Sequence, residues 1–283
     1  MASACASATI VNAMATGKGA AFGIDLRVRA QARLREDGKI VGKILGSRES
    51  PKLIEICARK TLEEFGEEGL GAEIMTTADI PIAVGLSSSS AAANAAVLAT
   101  TAALGKKPNF EKVLKIAIES AFAAGVTLTG ALDDAAASLY GGAVVTDNSK
   151  MRILKRFKVD RGLGVVVHVP PSRLYTRSLR TTDFSSIKEG AEKAHEMTRR
   201  GKIWTALTLN GFLYSAVLGH DPRPALTALL EGARAAGITG KGPATVAVAD
   251  PSVIRKIIER WRKIKGKIIL TRPAAKGGRV EFP

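Results

Sequence analysis

Cysteine and histidine are scarce in this sequence. Cys5 and Cys57 are its only two cysteines, too few for a disulfide framework and outside any Cys-x-x-Cys pair. His168, His195 and His220 are the only histidines, so a zinc site of Cys and His ligands is not expected. His168 falls in an apolar strand pattern and reads as a core residue, whereas His195 and His220 read as helical and exposed. Aromatic residues make up 5%, which leaves little to stack bases as single-strand binders do. No apolar run approaches the roughly 18 residues of a membrane helix. The Ala-rich residues 1–15 have no Lys or Arg before their apolar part and are interrupted by Asn12, unlike a secretory leader. These absences predict a reduced, soluble, cytoplasmic protein with no membrane partner.

Positive charge is plentiful and unevenly placed. The 283 residues carry 42 Lys+Arg against 26 Asp+Glu, a net charge of +16. Residues 1–150 hold 16 of each sign, so the whole excess lies in 151–283. Residues 255–279 alone contain ten Lys/Arg and one acid, Glu259. Such asymmetry points to nucleic acid or an acidic substrate. Across that window, however, Ile254, Ile257, Ile258, Trp261 and Ile264 recur at helical spacing. The basic side chains therefore read as the solvated face of an amphipathic helix, and no nucleic-acid partner is expected.

At 46% hydrophobic and 24% charged, the composition is that of a globular protein. Its length suits one large or two modest domains, with a boundary expected between 1–155 and 156–283. Apolar spacing predicts strands at 22–34, 40–45, 71–77, 143–146, 153–157, 165–169, 244–249 and 267–271. Helices are expected at 51–65, 88–104, 110–124, 133–140, 186–199, 203–218, 223–235 and 251–263. The mixture is α+β. Thr-Gly-Lys-Gly occurs twice, at 16–19 and 239–242, too short a match to argue duplication.

The stretch Pro81-Ile-Ala-Val-Gly85-Leu86-Ser87-Ser88-Ser89-Ser90-Ala91 carries the most chemistry. Gly85 permits a backbone turn closed to β-branched residues. The serines then open a helix, whose unpaired N–H groups and positive dipole end attract an anion. A Ser-rich linker with Ser88 as a plain N-cap is the bland reading. Other phosphate loops are missing: the Gly-Lys pairs at Lys18 and Lys241 are each followed by Gly, so neither completes G-x-x-x-x-G-K-[ST]. No G-x-G-x-x-G follows a strand. Asp133 and Asp134 form a carboxylate pair at the start of a predicted helix, suited either to accepting a hydroxyl proton or to capping. Lys18, between two glycines, is either a charge for a phosphoryl group or a surface-turn lysine.

Pro-x-x-x-Gly-Leu-(Gly/Ser)-Ser-Ser-(Ala/Ser)-Ala is the phosphate-loop signature of the GHMP kinases. The chain resembles that family at three places in order: residues 8–25, the serine run, and the late Gly-rich motif at 237–245. Within the family, residues 12–26, 87–90 and 127–135 resemble the archaeal-type shikimate kinases. The resemblance implies two domains, the first like domain 2 of ribosomal protein S5 and the second ferredoxin-like. It also implies ATP and Mg²⁺, and transfer of the γ-phosphoryl group to the 3-hydroxyl of shikimate on the route to chorismate and aromatic amino acids. On this view Pro81, Gly85, Leu86, Ser87, Ser88, Ser89, Ser90 and Ala91 bind ATP, and Asp134 is the base with Lys18 beside it. Asn12, Lys18, Asp133, Gly240 and Gly242 face the substrate. Arg177, with Arg173 and Arg180, is a candidate for the shikimate carboxylate. Ser89 and Glu119 would hold the metal. Glu119 lies fifteen residues before Asp134, a longer interval than in homoserine or mevalonate kinases, so a solvated helix position is the competing reading. Homoserine kinase or another GHMP enzyme is the alternative within the class, and a basic nucleic-acid-binding protein the alternative outside it.

Overall fold

A computed structural model describes the chain except residues 82, 173, 175–178, 180, 282 and 283. The first sheet is built around two long strands. β1 (Ala2–Val11) is buried at every position, because its Ala and Ser side chains let helices close on both faces. β2 (Lys18–Arg35) pairs antiparallel with β1 and is long enough to take two partners along its other edge. Lys18–Phe22 pair with β5 (Ala143–Asp147), and Val28–Arg35 pair with β4 (Gly71–Ala78). β3 (Ile40–Ile44) lies parallel to β4, joined by the crossover helix α1 (Lys52–Glu64). β6 (Arg152–Phe157) adds to β5. Helices α2 (Ser88–Ala103), α3 (Phe110–Ala124) and α4 (Leu132–Tyr140) complete this half. Asn109 caps α3 by accepting from the amides of Glu111 and Lys112.

The second sheet has strands β7 (Gly164–Val169), β8 (Ala235–Ile238), β9 (Thr245–Ala249) and β10 (Lys267–Thr271) in the order β10-β7-β9-β8. Helices α5 (Lys188–Arg199), α6 (Ile203–Leu218) and α7 (Arg223–Leu230) connect β7 to β8, and α8 (Pro251–Trp261) connects β9 to β10. This is the β-α-β-β-α-β ferredoxin-like arrangement, as the resemblance implied. Alternation divides its side chains. Val165, Val167, Val246 and Val248 join the main core, whereas Val166, Ala247 and Ala249 pack with Ile257 and Trp261 of α8. The basic window is solvated as expected: the Arg255 side chain of α8 is 91% exposed and pairs with Glu259.

The chain ends by returning to the first half. Ala274 exchanges backbone bonds with Gly23 and Gly142, and β11 (Arg279–Val280) pairs with the start of β1. The Arg27 guanidinium fixes this return by donating to the carbonyls of Lys276 and Gly277. Cys5 and Cys57 are buried, and burial pushes both thiols up to about 12, which suits the reduced state. Among the described residues no helix is long and apolar enough to cross a membrane.

The structure departs most from the sequence reading at two places. Residues 2–7 are strand despite their Ala/Ser content, and the helix expected over 223–235 stops at Leu230, before a strand at Ala235–Ile238. Tertiary packing overrides propensity at the second site. α6 lies against β8 so closely that a Cβ on Gly211 would fall 2.4 Å from the Gly237 Cα. Gly211→Val is expected to lose about 2–3 kcal/mol through overpacking. Gly69→Ala, where a Cβ meets nothing within 4 Å, should stay within about 0.5 kcal/mol of the native chain. Urea midpoints check both.

Candidate active site

Three distant segments meet above the start of α2. The C-terminal end of β1 supplies Thr9 and Asn12, the loop before α2 supplies Gly85, and the loop after β8 supplies Thr239 and Gly240. The Thr239 hydroxyl accepts from the Thr9 amide at 2.9 Å and donates to the Gly85 carbonyl at 3.0 Å. The Gly240 amide donates to the Thr9 hydroxyl at 2.9 Å, and Asn12 Nδ2 donates to the Gly240 carbonyl at 2.8 Å. Gly85 has φ 92°, and a Cβ there would sit 2.1 Å from the Thr239 carbonyl oxygen. No other residue fits.

A cleft opens beside this junction, lined by Thr9, Asn12, Ser87, Ser88, Ser89, Ser90, Asp133, Asp134 and Lys241 among others. The first helical bond of α2 runs from the Ala91 amide to the Ser87 carbonyl at 3.1 Å. The preceding amides of Ser88, Ser89 and Ser90 therefore have no acceptor within the helix, and the positive end of its dipole faces the cleft. Ser87 holds the left-handed conformation, φ 53° and ψ 36°, and its hydroxyl does not cap the helix. Ala83 (φ 60°) and Ala131 (φ 48°) are also left-handed and also line this cleft. Strained backbone of this kind gathers at sites where side chains must be held in one place.

Asp133 and Asp134 occupy the first turn of α4. Asp134 accepts from the Ser7 hydroxyl at 2.9 Å, with the Ser87 hydroxyl also hydrogen-bonding its carboxylate. Asp133 accepts from Asn148 Nδ2 at 2.8 Å. Gly19 lies directly under it, where a Cβ would be 2.5 Å from Oδ2. Burial, and then the charge of Asp134, push Asp133 up to about 7. Burial also raises Asp134, opposed by Ser87, Ser7 and the ammonium of Lys241. Lys241 is in turn lowered by burial and raised by Asp134. A second, apolar cavity of about 530 Å³ adjoins the cleft, its walls including Val28, Ile44, Leu53 and Ile54. The two share Ala83, Ser88, Ser89, Val126 and Lys241.

The family model for the GHMP kinases N terminal domain matches residues 52–142. A shikimate kinase of Methanothermobacter thermautotrophicus is 40% identical over 280 residues, covering 97% of this chain and 95% of the relative. The shikimate kinase of Thermococcus kodakarensis is 43% identical over 273 residues, covering 95% and 98%. The chain belongs to the GHMP kinases, among their shikimate kinases. Solved structures agree on the fold. Homoserine kinase from Cytophaga hutchinsonii superposes with a TM-score of 0.76 at 21% identity, covering 98% of this chain and 96% of that one. Mevalonate kinase of Methanococcus jannaschii also gives 0.76, at 15% identity with 97% and 98% covered.

In this GHMP kinase the predicted residues do not all come together. Asn12, Gly85, Ser87–Ser90, Asp133, Asp134 and Gly240 line one cleft. Leu86 and Ala91 are buried beneath it, and Gly242 packs against the His220 ring. Lys18 is turned away. Side chains alternate along β2, and since Gly19 faces Asp133, Lys18 points to the opposite side, into a cavity with His195 and Arg199. Glu119 is on the outer side of α3, paired with Lys60 at 3.3 Å. Arg173, Arg177 and Arg180 lie outside the described residues. His195, expected to be exposed, is buried at 4% exposure with Nε2 on the Thr146 carbonyl.

Lys241, Ser7 and Asn148 were not singled out from sequence. The signal for Lys241 was its place in the second Gly-rich motif; His220 Nε2 holds its carbonyl at 2.8 Å. The shift of Asp133 has a sign that can be checked. A carboxyl whose pKa is raised in the folded state loses stability as pH climbs from the ordinary carboxylate value of about 4 through the folded value. Asp133→Asn is therefore expected to melt above the native protein at pH 8. The difference should shrink as pH falls below 7, in melting curves across that range.

Proposed function

We propose that this GHMP kinase transfers the γ-phosphoryl group of ATP to the 3-hydroxyl of shikimate, giving shikimate 3-phosphate and ADP. The observation that carries this reading is the position of Asp134. Its carboxylate stands within one cleft with the open amides of α2 and the Lys241 ammonium, as a hydroxyl-phosphorylating site requires. In this reading the substrate hydroxyl gives its proton to Asp134 as its oxygen forms the new bond to the γ-phosphorus. The bond to the ADP oxygen breaks in the same step. A carboxylate raised by burial is a stronger base than an exposed one, which favours the transfer. The amides of Ser88–Ser90 and Lys241 stabilise charge on the phosphoryl oxygens. Identity of 40–43% to shikimate kinases over 95–97% of the chain supports the choice of substrate over homoserine; a homoserine kinase shares the fold at 21% identity.

The apolar cavity suits the adenosine moiety, since its walls are aliphatic and it reaches Ser88 and Ser89. The carboxylate of shikimate would be taken by Arg177 or its neighbours. Support comes from Leu174, whose amide donates at 3.2 Å to the carbonyl of Ala83, a residue of the cleft lining. Among the described residues no group of three His, Cys, Asp or Glu could hold a metal ion. A site of few protein ligands fits Mg²⁺ arriving with ATP, because that ion keeps waters and phosphates in its shell. Ser89 and Asp133 would be its protein contacts, leaving Asp134 to take the proton, and it would neutralise phosphate charge. Residues 1–155 are read as the ATP-binding unit and 156–283 as the unit that closes the substrate side.

A coupled assay of ADP release over shikimate, homoserine and mevalonate tests the reading. Turnover with shikimate alone is expected; turnover with homoserine and none with shikimate overturns it. Asp134→Asn should lower kcat by about 10²–10⁴ with the KM for ATP little changed. Lys241→Met should cost about 10² in kcat, and Glu119→Gln should leave it within about twofold.

A further inference from the structure

On the side of β2 away from the cleft, a cavity of about 220 Å³ is lined by Lys18, Lys150, Arg152, Arg199, His195 and Asp147, with Leu154. Two lysines and two arginines face one carboxylate there, and that carboxylate is already engaged by the Lys150 amide at 3.0 Å. None of the four makes an ion pair with another described residue. Elsewhere on the surface arginines take carboxylates, as Arg234 does with Asp250 and Arg223 with Asp221. Gathering unpaired cations is unfavourable unless an anion shares the space, because like charges this close raise one another's energy. Half-buried Lys18 and the buried His195 form the floor, and the exposed side chains of Lys150, Arg152 and Arg199 ring the mouth. The volume is several times the ~30 Å³ share of one water, enough for a phosphate group.

The floor of this cavity is also the support of the acid pair. His195 Nε2 contacts the Thr146 carbonyl at 3.1 Å. The Thr146 hydroxyl donates to Asn148 Oδ1 at 2.6 Å, and Asn148 Nδ2 donates to Asp133 Oδ1 at 2.8 Å. The amide of Asn148 donates to the Gly17 carbonyl, one residue before Lys18. An anion drawing Lys18 and Lys150 together would pull on the two ends of this segment.

We propose that the cavity is a second site, for a small phosphate-bearing anion, whose occupancy is felt in the acid pair through Thr146 and Asn148. Its influence on turnover rests on the kinase reading above; its binding does not. The test is calorimetric titration of inorganic phosphate into the full chain saturated with a non-hydrolysable ATP analogue, which keeps the serine site filled. The native chain should bind one phosphate, and Lys150→Gln/Arg199→Gln should bind it at least about tenfold more weakly. Without phosphate the double variant should turn over shikimate at the native kcat. Adding phosphate at saturating ATP and shikimate should change the native kcat by about twofold or more and leave the variant's unchanged. No binding, or equal binding by both chains, overturns the site. Binding with identical phosphate effects on the two rates overturns the connection to the acid pair. Phosphate bound by the native chain with no shikimate-dependent ADP release would instead count against the kinase reading alone.

Discussion

The Thr239 hydroxyl, placed between the Thr9 amide and the Gly85 carbonyl, is the contact on which the cleft depends. One donor-acceptor group joins the end of β1, the loop that starts α2 and a loop of the other sheet, across more than 200 residues of sequence. Because the oxygen is fully buried, losing either bond would leave a polar group unsatisfied, which costs more than the bond itself contributes. Gly85 and Gly240 are glycines for the same reason: their backbones touch, and a Cβ on Gly240 would come 3.0 Å from the Gly85 oxygen. The anion-facing end of α2 is thus positioned by the second half of the chain, not by its own loop.

That constraint explains why strain is tolerated nearby. Left-handed conformations at Ala83, Ser87 and Ala131 each cost free energy in a free peptide. Here each is fixed by groups it cannot escape. The Ala83 carbonyl receives the Leu174 amide, Ser87 starts α2 with its hydroxyl turned to Asp134, and Ala131 starts α4 with its amide on the Thr129 hydroxyl. A Ser87 hydroxyl used as a cap would satisfy a helix amide; turned to Asp134, it leaves that amide available to an anion. The local cost and the open binding site have one cause.

Sequence periodicity located helices such as α3 by their one-sided burial, and unbroken valine-rich runs located β7 and β9. α3 and α6 have the bounds expected, and β10 as well. It failed where both faces are covered by small side chains. In β1 and β8 the pattern has no polar face to mark a strand, and alanine suggests helix instead. The serine run and the acid pair were legible because each announces its chemistry locally: a turn, hydroxyls and a helix start, or two carboxylates in a first helical turn. Ser7, Asn148 and Tyr214 were not. Their roles exist only in the folded chain, where Tyr214 accepts from the Ala15 amide and donates to the Asn12 carbonyl, holding a loop from the first half.

The two Thr-Gly-Lys-Gly segments show how far a motif can be read without its backbone. The first runs into β2, where alternation decides everything: Gly19 lies under Asp133, so Lys18 must leave on the opposite face. The second is a loop with Gly240 at φ 57° and Gly242 at φ 75°, and its amides and carbonyls are held by Thr9, Asn12, Thr239 and His220. With the backbone pinned on both sides, the lysine side chain is directed toward the cleft and Asp134. The same four residues thus place one lysine beside the acid pair and the other behind the strand that carries it. The cation beside Asp134 is therefore Lys241, on the loop, and not Lys18, whose side chain the strand carries to the opposite face.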